Sequence, residues 1–183
     1  RDLLEEQAQL AIYDPKVSEA QIRKHYDSIA SRYDEFVGRR QSAQLEAINA
    51  LLGDRVQPPV LEVGAGTGLL TRLLGIEVVA IDLSRAMLMH APGTRIVADW
   101  NALPILSQTF NTFFSISVLE TDRDSISKLK EMLRVLKPGC WFFLAVLKTQ
   151  DLRRIEKELK SLKVLGLERF DAADSILFTG RKR

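Results

Sequence analysis

Residues 60–68 read Val-Leu-Glu-Val-Gly-Ala-Gly-Thr-Gly, an apolar run that passes directly into three glycines at alternate positions. A glycine backbone adopts conformations and close approaches that a side chain would block, so this stretch predicts a strand followed by a ligand-binding loop. A helical pattern of leucines over residues 69–74 follows at once. The free N–H groups of the loop and the N-terminus of that helix are therefore expected to face the ligand.

An aspartate ends the next apolar run, fourteen positions after the last of these glycines. The run Val78–Ile81 leads into Asp82 and Leu83, which predicts a second strand with an acid at its tip. In α/β nucleotide-binding proteins such an acid accepts hydrogen bonds from a ribose diol. The alternative is that Asp82 caps the helix predicted after it, although Ser84 is equally suited to that role.

The spacing of the glycines separates two classes of cofactor. A dinucleotide fingerprint requires its third glycine at position 69, which is Leu69 here, so an NAD-dependent oxidoreductase is disfavoured. Gly64, Gly66 and Gly68, with Glu62 on the preceding strand, instead resemble the first motif of class I S-adenosylmethionine (SAM) methyltransferases. A glycine-rich turn that binds no ligand is the alternative.

The resemblance continues in order over about residues 21–147. The family that these segments resemble is the methyltransferase type 11 family, which includes the ubiquinone and menaquinone methyltransferases. The segments are residues 25–34, 81–91, 97–100, 103–104, 110, 113–120 and 133–139. The resemblance implies SAM as the cofactor. It also implies an α/β, Rossmann-like class I fold: a seven-stranded, mostly parallel sheet with helices on both faces, an N-terminal helical lid and an antiparallel last strand.

The resemblance assigns roles to several side chains. Glu62 is expected to pair with the methionine ammonium of SAM, or else to cap the glycine N–H groups. Asp99 and Trp100 are expected at the adenine, the alternatives being a turn cap and a core tryptophan. The Tyr33 hydroxyl is expected near the SAM carboxylate or sulfonium, or in the core. The full set of residues predicted at the cofactor is Tyr33, Glu62, Gly64, Ala65, Gly66, Gly68, Asp82, Leu83, Asp99, Trp100, Ser115 and Ile116.

The sequence identifies no catalytic residue, because methyl transfer to an amine or thiolate needs alignment rather than a base. Two departures from the related enzymes bear on the acceptor. Thr121 follows Glu120 where relatives carry a histidine, which puts oxygen methylation in doubt. The fifth predicted strand passes almost directly into the last helix, so residues 18–37 are expected to form the main lid.

Periodicity places the remaining elements in one domain, 1–183, with a helical lid over 1–56 and a SAM-binding core over 57–183. The first fifty-five residues are predicted to be helical, with a helix over 3–12, one that begins at Ser18 and continues through Phe36, and another that ends at Gly53. The predicted strands are 59–63, 77–81, 94–97, 112–116, 140–146, 164–170 and 175–181, and the later helices lie over 122–136 and 152–162.

Composition favours a single soluble domain, with 46% hydrophobic and 27% charged residues in 183. No apolar run reaches the ~18 residues of a membrane helix. With no secretory signal after Arg1, a cytoplasmic location and no membrane partner are expected. The single cysteine, Cys140, excludes an intrachain disulfide, and the distant His25 and His90 favour no metal.

The acceptor is expected to be a small molecule. Residues 149–183 carry nine Lys or Arg against six Asp or Glu, which is typical of a solvated surface but leaves RNA or protein as alternative substrates. A non-catalytic SAM-binding or partner subunit is a further alternative.

Overall fold

The computed structural model describes residues 18–120 and 124–183, and of residues 38–40 only the backbone. Seven strands form one sheet in the order β3-β2-β1-β4-β5-β7-β6. Their bounds are β1 Val60–Val63, β2 Val78–Asp82, β3 Thr94–Val97, β4 Phe110–Ile116, β5 Leu136–Leu147, β6 Leu165–Ala172 and β7 Ser175–Arg181.

The sheet is parallel except at one strand. β1 pairs in parallel with β2 and β4, β2 with β3, and β4 with β5. β7 runs antiparallel to both of its neighbours, β5 and β6. The predicted fold class is therefore confirmed. The main difference is β5, which begins at Leu136 rather than at Cys140, because Leu136 already pairs with Phe110 before a shift in register around Pro138 and Gly139.

Helices cover both faces of the sheet. The helix bounds are α1 Glu19–Ile29, α2 Tyr33–Leu52, α3 Leu69–Leu74, α4 Arg85–Leu88, α5 Ser125–Val135 and α6 Leu152–Ser161. One face of the sheet packs on α5 and α6, with Phe113, Leu129 and Ile155 in its core. The other face packs on α2 and α3, with Ile48 and Phe114 in its core.

The N-terminal helices differ from the sequence prediction. Ser18 and Gln21 form the expected capping box at the start of α1. The apolar stripe does not lie on one helix, however, because a 3₁₀ turn over Ala30–Arg32 separates α1 from α2. The side chains of the stripe are at most half-buried, and Phe36 is 38% exposed. The predicted helix over residues 3–12 lies outside the described residues.

The segment predicted to form the lid lies at the end of the sheet that is formed by the carboxyl ends of the parallel strands. α1 packs on α4, the short helix that follows β2. β5 ends at Leu147 and α6 begins at Leu152, so no insertion separates them, as the sequence predicts. Among the residues that the structure describes, no helix has the length and apolar character needed to cross a bilayer.

Candidate functional site

The three glycines of the loop after β1 all have positive φ, at 75° for Gly64, 54° for Gly66 and 79° for Gly68, which favours glycine at each. Their surroundings differ. A Cβ on Gly64 would lie 2.1 Å from Val118 Cγ2, and one on Gly68 would lie 2.7 Å from Pro92 Cδ. A Cβ on Gly66 would meet nothing closer than Met87 Cε, at 3.2 Å. Gly64 and Gly68 thus serve packing, and Gly66 keeps the backbone open.

The loop uses its N–H groups internally, contrary to the expectation that they are free for a ligand. The N–H groups of Gly64 and Ala65 both donate to Ile81 O, at 2.7 and 3.0 Å. The Gly68 N–H donates to Ala65 O at 2.8 Å, and the Gly66 N–H donates to Asp82 Oδ2 at 2.8 Å. A loop with these donors occupied does not offer the cradle of N–H groups that a pyrophosphate requires.

Asp82 lies at the end of β2 directly beside this loop. Its two carboxylate oxygens accept the N–H groups of Gly66 and Ser84, each at 2.8 Å. Ser84, and not Asp82, caps α4 by accepting the Met87 N–H at 3.0 Å. Burial raises the pKa of Asp82 above its usual value, although backbone N–H groups of Ser84, Gly66 and Leu83 lower it; the nearby carboxylate of Asp27 also raises this pKa. Asp82 is therefore placed for the predicted ribose contact, and that contact stays a prediction.

Glu62 is a buried acid, 3% exposed, at the end of β1. Its Oε2 accepts a hydrogen bond from Thr71 Oγ1 on α3, at 3.0 Å. The alternative that Glu62 caps the glycine N–H groups is wrong, because Ile81, Ala65 and Asp82 accept them. Burial raises the pKa of Glu62 to about 8. The side chain is thus mainly neutral at pH 7, and a nearby cation would favour its ionised form.

The residues expected at the adenine follow β3. Asp99 Oδ1 accepts the Asn101 N–H at 2.8 Å, so it caps the 3₁₀ turn Trp100–Ala102. Trp100 is 4% exposed and its ring lies 5.7 Å from that of Phe113, which places it in the core. Its indole N–H is buried and has no partner among the described residues. Asp99 therefore caps a turn and Trp100 lies in the core, as the two alternatives predict, and an adenine contact by either residue stays a prediction.

Ser115 and Ile116 are buried at the end of β4, with 1% and 5% exposure. Their backbones pair with β5, so neither side chain lines an open surface. Ser115 Oγ lacks a hydrogen-bond partner within the described part of the chain. Leu83 is half-buried between Asp82 and Ser84. Cofactor contact by these three residues stays a prediction.

The lid contributes two acids that the sequence analysis did not single out. Asp27 on α1 accepts a hydrogen bond from Ser84 Oγ, and Asp34 on α2 accepts one from Thr67 Oγ1 in the glycine loop. Each follows a tyrosine, Tyr26 and Tyr33, whose half-buried rings lie 6.1 Å apart. The repeated Tyr-Asp pair, seven residues apart, was the available signal.

A buried side-chain amide on α2 contacts the residue that follows β4 and the first residue of β7. Gln44 on α2 is 3% exposed, and its Nε2 donates to Ser117 Oγ at 2.8 Å and to Ser175 Oγ. Ser117 leaves β4 with a φ of 60°, and Ser175 begins β7. No periodicity reports such a contact, since the amide and its partners are 73 and 131 positions apart.

The basic C-terminal residues lie towards the end of the sheet formed by the amino ends of the parallel strands, away from the glycine loop. Because β7 is antiparallel, Arg181 pairs with Trp141 near the start of β5, and the Lys182 N–H donates to Cys140 O at 3.0 Å. The last residues therefore do not border the glycine loop, and the RNA alternative loses that part of its support. Within the described ranges no cluster of three or more His, Cys, Asp or Glu side chains could hold a metal ion.

Comparison with known proteins agrees with this geometry. A family profile described as "Methyltransferase domain" matches residues 61–144. A malonyl-[acyl-carrier protein] O-methyltransferase of Halorhodospira halophila is 36% identical over 64% of this chain and 44% of its own length. A ubiquinone/menaquinone biosynthesis C-methyltransferase of Desulfotalea psychrophila is 33% identical over 64% and 54%. The chain thus spans about half the length of these relatives.

A solved structure has the same fold. It is a SAM-dependent methyltransferase of Thermotoga maritima, described as a possible histamine N-methyltransferase, with a TM-score of 0.75 over 88% of this chain and 99% of that one. At 13% identity, this likeness shows the fold alone. The matched profile and the named relatives are methyltransferases, which is the class of protein that the sequence predicts. The chain therefore has the class I methyltransferase fold that its sequence predicts, and its residues 61–144 match the methyltransferase domain profile.

Proposed function

We propose that this chain binds SAM at the glycine loop and transfers its methyl group to a small molecule held beneath α1 and α2. The observation that carries the proposal is a loop in which the N–H groups of residues 64, 65, 66 and 68 are occupied, together with an acid on each side of it, Glu62 and Asp82. Such a site suits a cation, and SAM carries a sulfonium and an ammonium group, whereas a dinucleotide brings two phosphates.

The residues present fit this cofactor. A Cβ on Gly66 would meet only the flexible end of Met87, which leaves the backbone there accessible, and we propose that Asp82 accepts from the ribose diol and that Glu62 pairs with the ammonium. SAM supplies an electrophilic methyl group for in-line transfer. The chain's own contribution is to align the two reactants and exclude water, and the segment with the paired rings of Tyr26 and Tyr33 is proposed to cover the site.

The acceptor side is proposed to lie where Gln44, Ser117 and Ser175 meet, between the carboxyl ends of β4 and β5. The relatives named above are an O-methyltransferase of a malonyl thioester and a C-methyltransferase of quinone biosynthesis. A carboxylate is already ionised at neutral pH, so its methylation needs no base. A carboxylate-bearing acceptor is therefore compatible with a threonine at position 121, which lies outside the described residues.

Binding of SAM tests the first half of the proposal. We expect calorimetry to detect binding of SAM and S-adenosylhomocysteine and none of NAD. Bound at a hundredfold excess over Kd, either ligand should add about 2.7 kcal/mol to the free energy of unfolding. Binding of NAD without SAM would overturn the assignment.

Turnover tests the second half. Release of S-adenosylhomocysteine is followed by mass spectrometry with carboxylate-bearing acyl thioesters, quinol precursors, small amines and RNA as separate acceptors. Turnover of any small molecule supports the proposal. Turnover of RNA alone favours the alternative substrate, and binding without turnover of any acceptor favours a non-catalytic SAM-binding subunit.

Replacement of Asp82 with alanine should weaken SAM binding by about 1.5–3 kcal/mol, the range for hydrogen bonds to a charged group. Because Asp82 also accepts the Gly66 N–H, Asp82→Asn serves as the comparison that retains one acceptor oxygen. We expect the asparagine variant to bind with intermediate affinity in the same calorimetric assay. If the alanine variant binds SAM as the parent does, Asp82 only orders the loop.

A further inference from the structure

Asp34, in the first turn of α2, joins the lid to the glycine loop by two polar contacts. Its Oδ1 accepts a hydrogen bond from Thr67 Oγ1 at 2.6 Å, and its Oδ2 pairs with the Arg72 guanidinium at 2.6 Å. Thr67 stands in the loop between two glycines. We infer that Asp34 is a positioning residue, which fixes the glycine loop and the lid in the arrangement that binds the cofactor. The inference rests on the proposed function.

Arg72 completes the arrangement from the other side. Its guanidinium also donates to Thr67 O at 2.6 Å. Thr67 is 2% exposed, and its hydroxyl and its carbonyl are thus held by different side chains. The glycines on both sides, Gly66 and Gly68, have positive φ and wide conformational freedom. The contacts of Thr67 therefore add side-chain restraints to a loop whose N–H groups at residues 64, 65, 66 and 68 are already hydrogen-bonded.

The same contacts fix the start of α2. α1 begins with a capping box, but no side chain caps the N-terminus of α2 at Arg32. Tyr33, the lid residue expected at the cofactor, is the first residue of α2 and directly precedes Asp34. The bonds from Asp34 to Thr67 and Arg72 therefore hold the first turn of α2, which includes the backbone of Tyr33, beside the loop.

These contacts act on the loop more than on global stability. The Asp34 and Arg72 side chains are 45% and 40% exposed, and ion pairs at such sites stabilise proteins little. The bond to the buried Thr67 hydroxyl is the one that orders the loop. Loss of the Asp34 carboxylate should therefore change the dynamics of the loop and the affinity for the ligand more than it changes the melting temperature.

The test compares Asp34→Ala with Glu35→Ala in the full chain, because asparagine at position 34 would keep an oxygen that can accept the Thr67 hydroxyl. Glu35 is the adjacent acid in the same helical turn; it pairs with Arg32 at 3.5 Å and is 70% exposed. We expect hydrogen exchange of amides in residues 64–68 of the ligand-free protein to accelerate in Asp34→Ala and not in Glu35→Ala. The Kd for S-adenosylhomocysteine should rise about five- to tenfold in the first variant alone.

Thr67→Val removes the other partner of the same bond. The effects of Thr67→Val and Asp34→Ala on Kd should be less than additive in the double variant, because both variants remove the same hydrogen bond. Full additivity, or equal exchange rates in Asp34→Ala and Glu35→Ala, would overturn the inference. A melting temperature that falls in Asp34→Ala as much as the loop protection does would also overturn it. Loop exchange needs no ligand, so it tests Asp34 even if the parent fails to bind S-adenosylhomocysteine.

Discussion

Gly64→Ala should be among the most destabilising single substitutions in the chain. The new Cβ would lie 2.1 Å from Val118 Cγ2 and 2.8 Å from Val118 Cγ1, far inside van der Waals contact. The backbone at Gly64 also has a φ of 75°, which costs alanine about 1–2 kcal/mol. With about 1–3 kcal/mol for overpacking, we expect a loss of roughly 2–5 kcal/mol in the free energy of unfolding, measured by urea denaturation.

Gly75→Ala is the matched control for that substitution. Gly75 has a similar φ of 62°, but a Cβ there would meet nothing within 4 Å. It should lose only the conformational cost, about 1–2 kcal/mol. The double variant Gly64→Ala with Val118→Ala should recover part of the loss, because the two shortest contacts, to the Val118 Cγ atoms, are removed, while the contact to its Cβ at 2.9 Å remains. Equal losses for the two glycines would mean that the strand end shifts freely, and the packing role of Gly64 would be wrong.

Glu62→Gln should lower the affinity for SAM by about 1.5–3 kcal/mol, because an uncharged amide cannot pair with the ligand's ammonium. The glutamine oxygen can still accept from Thr71 Oγ1, so the fold should be kept. Since the pKa of Glu62 is about 8 in the ligand-free protein, an arriving cation should displace its proton at pH 7. Calorimetry in buffers of different ionisation enthalpy should detect proton release in the parent and much less in Glu62→Gln.

The same variant should change the pH dependence of stability. The pKa of Glu62 is raised in the folded state from its ordinary 4.5 to about 8, so the folded protein binds more protons than the unfolded chain between these values. The free energy of unfolding therefore falls as pH rises through this window, and stability is highest below it. Glu62→Gln should flatten this slope, although Asp82, whose pKa is also raised, retains part of it.

Glu77→Gln provides the control for both measurements on Glu62. It removes the same charge from an exposed position just before β2. Its affinity for SAM and its pH profile of stability should match those of the parent. A Glu62→Gln variant that binds SAM as well as Glu77→Gln does would remove Glu62 from the binding site.

The sequence was most informative where one residue type has few alternatives. Positive φ at Gly64, Gly66 and Gly68 and the acid at the end of β2 follow from residue chemistry at fixed spacing. The resemblance to a family supplied the antiparallel β7, because no local pattern distinguishes the direction of a buried strand. The element type was therefore readable from the chain, and its place in the sheet was not.

The errors came from contacts between distant segments. The loop N–H groups of Gly64 and Ala65 bond to Ile81 O because the contact between β1 and β2 continues past the end of β1. The apolar stripe of the lid predicts one helix because a 3₁₀ turn of three residues, Ala30–Arg32, leaves the spacing of the stripe almost unchanged. The bond between Asp34 and Thr67 joins positions 33 apart, which no periodicity reports.

The two tryptophans pack on opposite faces of the sheet, in unlike surroundings. Trp100 is 4% exposed near the predicted adenine site, and the guanidinium groups of Arg55 and Arg181 lie 4.8 and 5.5 Å from the ring of Trp141. The chain thus contains two tryptophan fluorophores, one in an apolar environment and one close to two cationic side chains. With Trp141 replaced by phenylalanine, the emission of Trp100 alone would report on events at the cofactor loop, without any attached dye.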